Sequence, residues 1–310
     1  MDNVNFDSII EALEVHYYKA SMREVFTPVF LNNTKEQKNI LVQSVKGSFY
    51  AGREDKLLKN GSFYFIPVGQ PIYFKHGKSN NYKVFTNEGF QSQEEREKYL
   101  KPLSSMDENK KAKDVFSIAG FHVRIHGAIP FFQMLEIPCM HIPYDEEFSY
   151  LMQNLVMEEE MRRLGRSTLM KCYLKEMVIH ICRYLYSRPE FKTNIEKLNY
   201  LLDKRLVKII QYIQENLGKD LSNEKVAEVA FVSKDYVGQF FKTLTDGNLQ
   251  DYIENRRLEQ AHLLLRTTND NVQEIAHKVG FKDPAYFSRR FKMRFNENAK
   301  EIRKSTQFIV

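Results

Sequence analysis

The 310-residue chain carries 46 Lys and Arg against 40 Asp and Glu, a formal net charge of +6, with 43% apolar and 28% charged residues. At roughly 100–200 residues per domain this length points to two domains, and the apolar content excludes a disordered chain. No uncharged apolar run reaches the ~18 residues of a membrane span, and the acidic, polar start Met1-Asp2-Asn3-Val4-Asn5 does not read as a secretory signal.

Residues 25–85 and 115–142 read as strands, with runs such as Ser62-Phe63-Tyr64-Phe65-Ile66 and Ile72-Tyr73-Phe74-Lys75 punctuated by Gly and Pro. The polar stretch 86–114 reads as a long surface connection. From Glu146 the apolar period becomes helical. Phe148, Leu151, Leu155 and Met161 lie on one helix, and Leu169, Tyr173, Met177, Ile181 and Leu185 on a second, separated near Gly165. That second stripe suits packing either across a two-fold axis, as a homodimer contact within 146–186, or on the strands of its own domain. Cys139, Cys172 and Cys182 are odd in number and lack zinc-type spacing, so reduced thiols in a cytoplasmic protein are expected. Ser187-Arg188-Pro189 breaks the helical pattern and sets a boundary. The expected layout is a mixed strand and helix domain at 1–187 (strands about 25–142, helices about 146–186), a linker at 188–203 and an all-helical domain at 204–310.

The last third repeats itself at an offset of about fifty residues. Val226-Ala227, Val232-Ser233, Tyr236-Val237 and Phe241-Lys242 correspond to Ile275-Ala276, Gly280-Phe281, Tyr286-Phe287 and Phe291-Lys292. Each copy reads as a short helix, a turn and a second helix, the helix-turn-helix layout. Local chemistry marks the same ends. Asn271-x-x-Glu274 and Asn298-x-x-Glu301 are capping-box patterns, Gly280 suits a helix stop, and Asp283-Pro284 places a cap before a first-turn proline. Ser222, Ser233 and Asn248 are further caps. Nine basic against four acidic residues from 271 to 310, a net of +5, favour a partner rich in phosphate.

An α-helix fits the DNA major groove, where base edges are distinguishable, and the repeat supplies two such helices in one chain. The Pro- and Gly-free segment Leu249–Arg266 reads as a rigid helix between them. Helical period turns Tyr236, Val237, Phe240 and Phe241, and Tyr286, Phe287 and Phe291, inward. It leaves Asp235, Gly238, Gln239, Ala285, Ser288 and Arg289 as base-reading candidates, with Gln239 suited to adenine and Arg289 to guanine. Lys234, Lys242, Arg290, Lys292 and Arg294 suit phosphates.

The segment Tyr252-Ile253-x-x-x-Arg257-Leu258-x-x-Ala261-x-x-Leu264-Leu265, followed by Ile275-Ala276-x-x-Val279-Gly280-Phe281-x-Asp283-x-x-Tyr286-Phe287-Ser288-Arg289-x-Phe291-Lys292, resembles the linker helix and signature of the AraC/XylS family of bacterial transcription regulators. The resemblance covers about residues 206–304. It implies a seven-helix, sequence-specific DNA-binding domain, usually in an activator that also contacts RNA polymerase. Where the signature normally closes with Gly, then Ser or Thr-Pro, then an aromatic, this chain has Asn296, Asn298-Ala299 and Ile302 before Arg303, so a less firmly docked last helix is expected. In the first domain, Gly61-x5-Pro67-x-Gly69 resembles a cupin half-motif, the usual sensor fold of the family. The position of its metal-binding His holds Ile72, and no His-x-His half-motif is found, so no metal and no cofactor are expected.

The strand His122-Val123-Arg124-Ile125-His126 places His122, Arg124 and His126 on one face. Its two histidines are ~13 Å apart, too far for one zinc. With Tyr64 and Tyr73 these residues are the candidates for binding a small-molecule effector, Arg124 taking its anionic group. Phe49, Tyr50, Phe63, Phe65 and Phe74 either line an apolar pocket with them or form core. The fold class expected is α+β: a cupin-like β-barrel followed by helices, then an all-α domain of two helix-turn-helix units joined by a linker helix. The expected function is a transcription regulator of double-stranded DNA, with no membrane attachment, and not an enzyme, since no catalytic or phosphate-loop motif is found. A rival reading keeps the DNA binding and makes the first domain only a dimerisation or protein-interaction module. A second makes it an enzyme with a DNA-binding tail.

Overall fold

In a computed structural model that describes residues 6–86, 96–104, 113–196, 203–245, 247–295 and 297–306, the chain divides into two units, Met1–Asn199 and Tyr200–Val310. The first opens with α1 (Phe6–Glu11), then β1 (Leu13–Val25), β2 (Val29–Thr34), β3 (Asn39–Lys46), β4 (Phe49–Ala51), β5 (Lys56–Leu58), β6 (Phe63–Ile66), β7 (Ile72–His76) and β8 (Lys83–Phe85). It continues through β9 (Leu100–Leu103), β10 (Val115–Ile125), β11 (Ile129–Pro130), α2 (Phe131–Met134), β12 (Met140–Ile142), α3 (Glu146–Met161), α4 (Arg166–Tyr186) and α5 (Lys192–Glu196).

The strands form two sheets and not one closed barrel. One runs β12-β6-β3-β10-β1-β9 with β11 on β10, and the other runs β5-β4-β7-β2-β8. Alternate side chains of both sheets (Ile40, Val42, Tyr64, Ile66, Phe49, Phe74, Phe116) share one core cluster, as the period of two along a strand requires. The opposite face of the larger sheet is also apolar. Phe63 meets Phe148 of α3 at 4.4 Å between ring centroids, and Phe65 meets Phe132 of α2 at 4.7 Å. A sheet covered on both faces shows continuous apolar runs instead of alternation.

Three expectations are corrected here, and an alternative left open by the sequence is narrowed. A long strand, β1, precedes residue 25 and pairs with β10 along most of its length, with a bulge at Tyr17–Lys19. Within 86–114, Leu100–Leu103 is a strand paired with the end of β1; residues 87–95 and 105–112 lie outside the described residues. Residues 188–196 are not free linker, because Phe191 is buried and Asn194 Nδ2 donates to the Leu135 carbonyl at 2.9 Å. The α4 stripe is largely internal: Met177, Ile181 and Leu185 are buried, since α4 packs on α3 and β1. Leu169 remains exposed and Tyr173 half-buried.

The second unit contains α6 (Lys204–Glu215), α7 (Asn223–Ala230), α8 (Lys234–Thr245), α9 (Leu249–Thr267), α10 (Val272–Lys278), α11 (Pro284–Phe295) and α12 (Ala299–Thr306), seven helices among the described residues. Helix α9 is the spine. Its early turn places Tyr252 against Phe241 of α8, with ring centroids 5.3 Å apart. Its later turns give Leu258, Ala261 and Leu265 to a cluster with Ile275, Ala276, Val279, Phe281, Phe287, Phe291, Ala299 and Ile302. Burying each such Phe contributes about 2–3 kcal/mol. Ile302 is as buried as its neighbours, and Arg303 donates to the carbonyls of Thr268 and Asp270, so the last helix docks fully despite the departures there; Asn296 lies outside the described residues. Among the described residues no helix is long and apolar enough to cross a membrane.

Candidate nucleic-acid interface

Each helix pair, α7–α8 and α10–α11, is delimited by short-range chemistry. Asn271 and Glu274 form a reciprocal capping box at α10: Asn271 Oδ1 accepts from Glu274 N and Glu274 Oε2 accepts from Asn271 N, satisfying two otherwise unpaired N–H groups. The Asp283 carboxylate accepts from Ala285 N at 2.8 Å ahead of Pro284, and Asn248 caps α9 through Gln250 N and Asp251 N. Gly280 turns the chain at φ 95°. Ser222 precedes α7 but places its hydroxyl on Asp220 and not on the helix N–H groups.

On α8, Val237, Phe240 and Phe241 are buried, while Asp235, Gln239, Lys234 and Lys242 are exposed and Gly238 is half-buried. On α11, Phe287 and Phe291 are buried, and Ala285, Ser288, Arg289 and Lys292 are exposed. Both second helices thus present a polar strip opposite the core. The equivalent tyrosines break the expected pattern: Tyr236 and Tyr286 are exposed by 51% and 40%. Their hydroxyls resist burial without a partner, and each ring lies at the flank of its helix.

Several polar groups are already engaged. Gln239 Nε2 donates to Thr243 Oγ1 at 3.2 Å, and Ser288 Oγ donates to the Pro284 carbonyl at 2.9 Å. Lys234 lies 3.8 Å from Glu224. Arg290 and Arg294, expected to face phosphate, turn to the spine. Arg290 pairs with Glu254, and Arg294 Nη2 donates to Glu259 Oε1 at 3.2 Å. Tyr286 OH donates to the other oxygen of Glu254 at 2.6 Å. The Glu254 carboxylate holds the Tyr286 hydroxyl protonated above its ordinary range and strengthens the proton on Arg290. Sequence reasoning missed Glu254 and Glu259; the four-residue spacing of Tyr286, Arg290 and Arg294 was the available sign of a shared face.

Arg257 of α9 donates from Nε to the Leu217 carbonyl and from Nη2 to the Lys219 carbonyl, both at 2.9 Å. It borders a cleft of about 410 Å³ where the two helix pairs adjoin, with Lys219, His277 and Lys282 in its walls.

In the first unit the effector candidates separate. Tyr64 is buried between the sheets with Phe74, ring centroids 5.8 Å apart. Tyr73 is on the other face of β7, beside Arg53 and Asn33. Phe49 and Phe74 are filled core, and Tyr50 alternates outward. His122 and Arg124 are half-buried on β10, opposite His16 and Glu14. Arg124 Nη1 donates to the Ala128 carbonyl at 2.9 Å, and burial with the Arg124 charge lowers the His122 pKa to about 4. His126 is not on the strand: β10 ends at Ile125, and His126 begins the turn with φ 50°.

Comparison with known proteins addresses the second unit. Residues 226–305 match the family model described as a helix-turn-helix domain. SoxS of Escherichia coli K12, a regulatory protein, is 35% identical over 95 residues, 31% of this chain and 89% of SoxS. The uncharacterized HTH-type regulator YijO of the same organism is 32% identical over 96 residues, 31% of this chain and 34% of YijO. RhaS of Enterobacter sp. 638, an HTH-type transcriptional activator, is 33% identical over 101 residues, 33% of this chain and 36% of RhaS. The chain thus spans about a third of the length of YijO and RhaS. Paired short helices on a shared spine, with polar strips opposite an aromatic core, define a helix-turn-helix DNA-binding domain. The chain belongs to the AraC/XylS family of transcription regulators.

Proposed function

We propose that this chain is a sequence-specific transcription activator with two helix-turn-helix units, in which α8 and α11 enter successive major-groove segments of double-stranded DNA. The observation that carries the reading is the seating of both helices on one uninterrupted spine, each with its aromatic side buried and its polar strip outside. In this reading Arg289 and Gln239 read bases with Asp235, Gly238, Ala285 and Ser288 beside them, and Lys234, Lys242 and Lys292 hold phosphates. Selection of binding sites from a random duplex library by the full chain tests it. Two conserved elements about 10–10.5 base pairs apart are expected; enrichment of a single short element would overturn tandem reading.

The first unit is assigned the sensor role, as a cupin-like fold opened into two sheets. Glycines with φ of 83° at Gly61 and 77° at Gly69 support the cupin half-motif turn. Half-exposed Arg124 and His122 support a small anionic effector. The filled space around Phe49, Tyr64 and Phe74 favours the second reading, a first unit that only dimerises or binds protein. A dimer through residues 146–186 would use what the fold leaves outside, Tyr150, Leu164, Leu169 and Tyr186. Thermal melting of the full chain against anionic metabolites separates the readings, because a ligand stabilises by mass action; no shift with any of them favours the interaction module. RNA polymerase is assigned as the protein partner, the cytoplasm as the site of action, and no cofactor or catalytic step is invoked.

A further inference from the structure

The contacts between α9 and α11 include apolar packing, ring stacking of His262 on Phe291 and Phe295, and bonds to carboxylates. Leu258, Ala261 and Leu265 pack on Phe287 and Phe291, and this apolar contact fixes how closely the helices approach. Apolar packing is non-directional and constrains rotation and sliding less than directed bonds. The directed bonds come from Glu254 and Glu259. Glu254 takes the Tyr286 hydroxyl on one oxygen and the Arg290 guanidinium on the other. Glu259 takes Arg294 and also Arg256 of its own helix, the latter at 2.8 Å. The three α11 residues lie four apart along one flank, next to the strip that bears Arg289. The Glu254 side chain is only 17% exposed, so its charge is little screened by water.

We infer that Glu254 is a positioning residue: by holding Tyr286 and Arg290 it fixes the angle of α11 on the spine, and so fixes the spacing between the two DNA elements that one chain accepts. The inference rests on the tandem reading proposed above. Moving one element by a single base pair changes its separation by about 3.4 Å and its rotation by roughly 35°. A clamped α11 cannot follow such a move, whereas a released one can tilt and slide on its phenylalanines.

The test uses the full chain, duplexes carrying the two selected elements at the preferred spacing and at one base pair more or less, and the variants Glu254→Ala and Glu254→Gln. Overall affinity is a poor guide, because releasing Arg290 frees a cation for phosphate. The ratio between spacings is informative, since a merely destabilised protein loses the same factor on every duplex. For the wild type, a spacing penalty of about tenfold is expected, falling to about threefold or less in Glu254→Ala. Glu254→Gln leaves one acceptor oxygen and no charge, so it can keep only one of the two acceptor contacts, and its penalty should fall between the two. Circular dichroism at the assay temperature verifies that each variant is folded, and Glu254→Gln carries the test if Glu254→Ala is not. An unchanged penalty in the folded variants overturns the inference while leaving tandem reading intact. A wild type that enriches only one element overturns tandem reading and the inference with it.

Discussion

The guanidinium of Arg257 occupies the space into which a side chain at Gly280 would grow. A Cβ at Gly280 would lie 2.8 Å from Arg257 Cζ and 2.5 Å from the Leu217 carbonyl oxygen, at a φ of 95°. The turn between α10 and α11 is thereby pressed against both the spine and the loop after α6, and only glycine permits it. Gly280→Ala should destabilise the second unit by about 2 kcal/mol or more, from backbone strain and from the displaced Arg257. Urea unfolding of the full chain followed at 222 nm would report this; an unchanged midpoint for the helical transition would refute it.

Arg289 and Lys292 share the exposed strip of α11 but are assigned different tasks. Arg289→Ala should cost about 1–3 kcal/mol on the preferred duplex and relax the choice at one base pair. Lys292→Ala should weaken all sequences alike and lower the salt slope by about one. Titrations on a panel of single-substitution duplexes at several salt concentrations distinguish them. Equal losses on every duplex for Arg289→Ala would reassign it to phosphate.

His76 is 4% exposed among Phe49, Phe74 and Phe116, and its Nδ1 finds no hydrogen-bond partner among the described residues. Burial lowers its pKa to about 3, whereas an unfolded imidazole titrates near 6.5. Between these values the unfolded chain binds a proton that the folded one excludes, so stability falls as pH falls, by roughly 1.4 kcal/mol per unit, and the loss levels off near pH 3. In His76→Leu this contribution is absent. The stability difference between wild type and variant should be flat above about pH 7 and tilt against the wild type from about 6.5 downward. A difference that does not vary with pH would mean that the folded imidazole takes the proton too.

The capping box at α10 is a local feature with a local cost. Asn271→Ala removes the acceptor for Glu274 N, 2.9 Å away, and should lower stability by about 1 kcal/mol. Asn271→Asp should largely retain it. Melting curves of the two variants side by side decide the matter, and equal losses would show that the side-chain oxygen is not what matters there.

What was legible in the sequence was what depends on neighbours in the chain. Asn271 with Glu274, Asp283 with Pro284, and the left-handed turn at Gly280 announce helix ends because their partners lie within a few residues. The apolar positions Val237, Phe241, Phe287 and Phe291 follow from period alone. Strand β1 was not legible because its bulge at Tyr17–Lys19 breaks the alternation, and β9 because four residues containing Pro102 carry little pattern. Tyr236 and Tyr286 were misplaced because period alone treats an aromatic ring as core and ignores its hydroxyl. The Glu254–Arg290 pair joins residues 36 apart in sequence, and nothing local to either announces the other. The first unit's effector candidates failed to converge for a similar reason: Tyr64 and Tyr73 sit on strands whose facing depends on how the sheets stack.

The bond from Arg303 back to Thr268 and Asp270, with Ile302 and Ala299 under it, sets an order on synthesis. As the polypeptide emerges from the ribosome, the first helix pair has its packing partner on the spine once α9 is made. The second lacks its closing wedge until position 303 is free. A nascent chain stalled before that point carries one finished helix pair and one unfinished one.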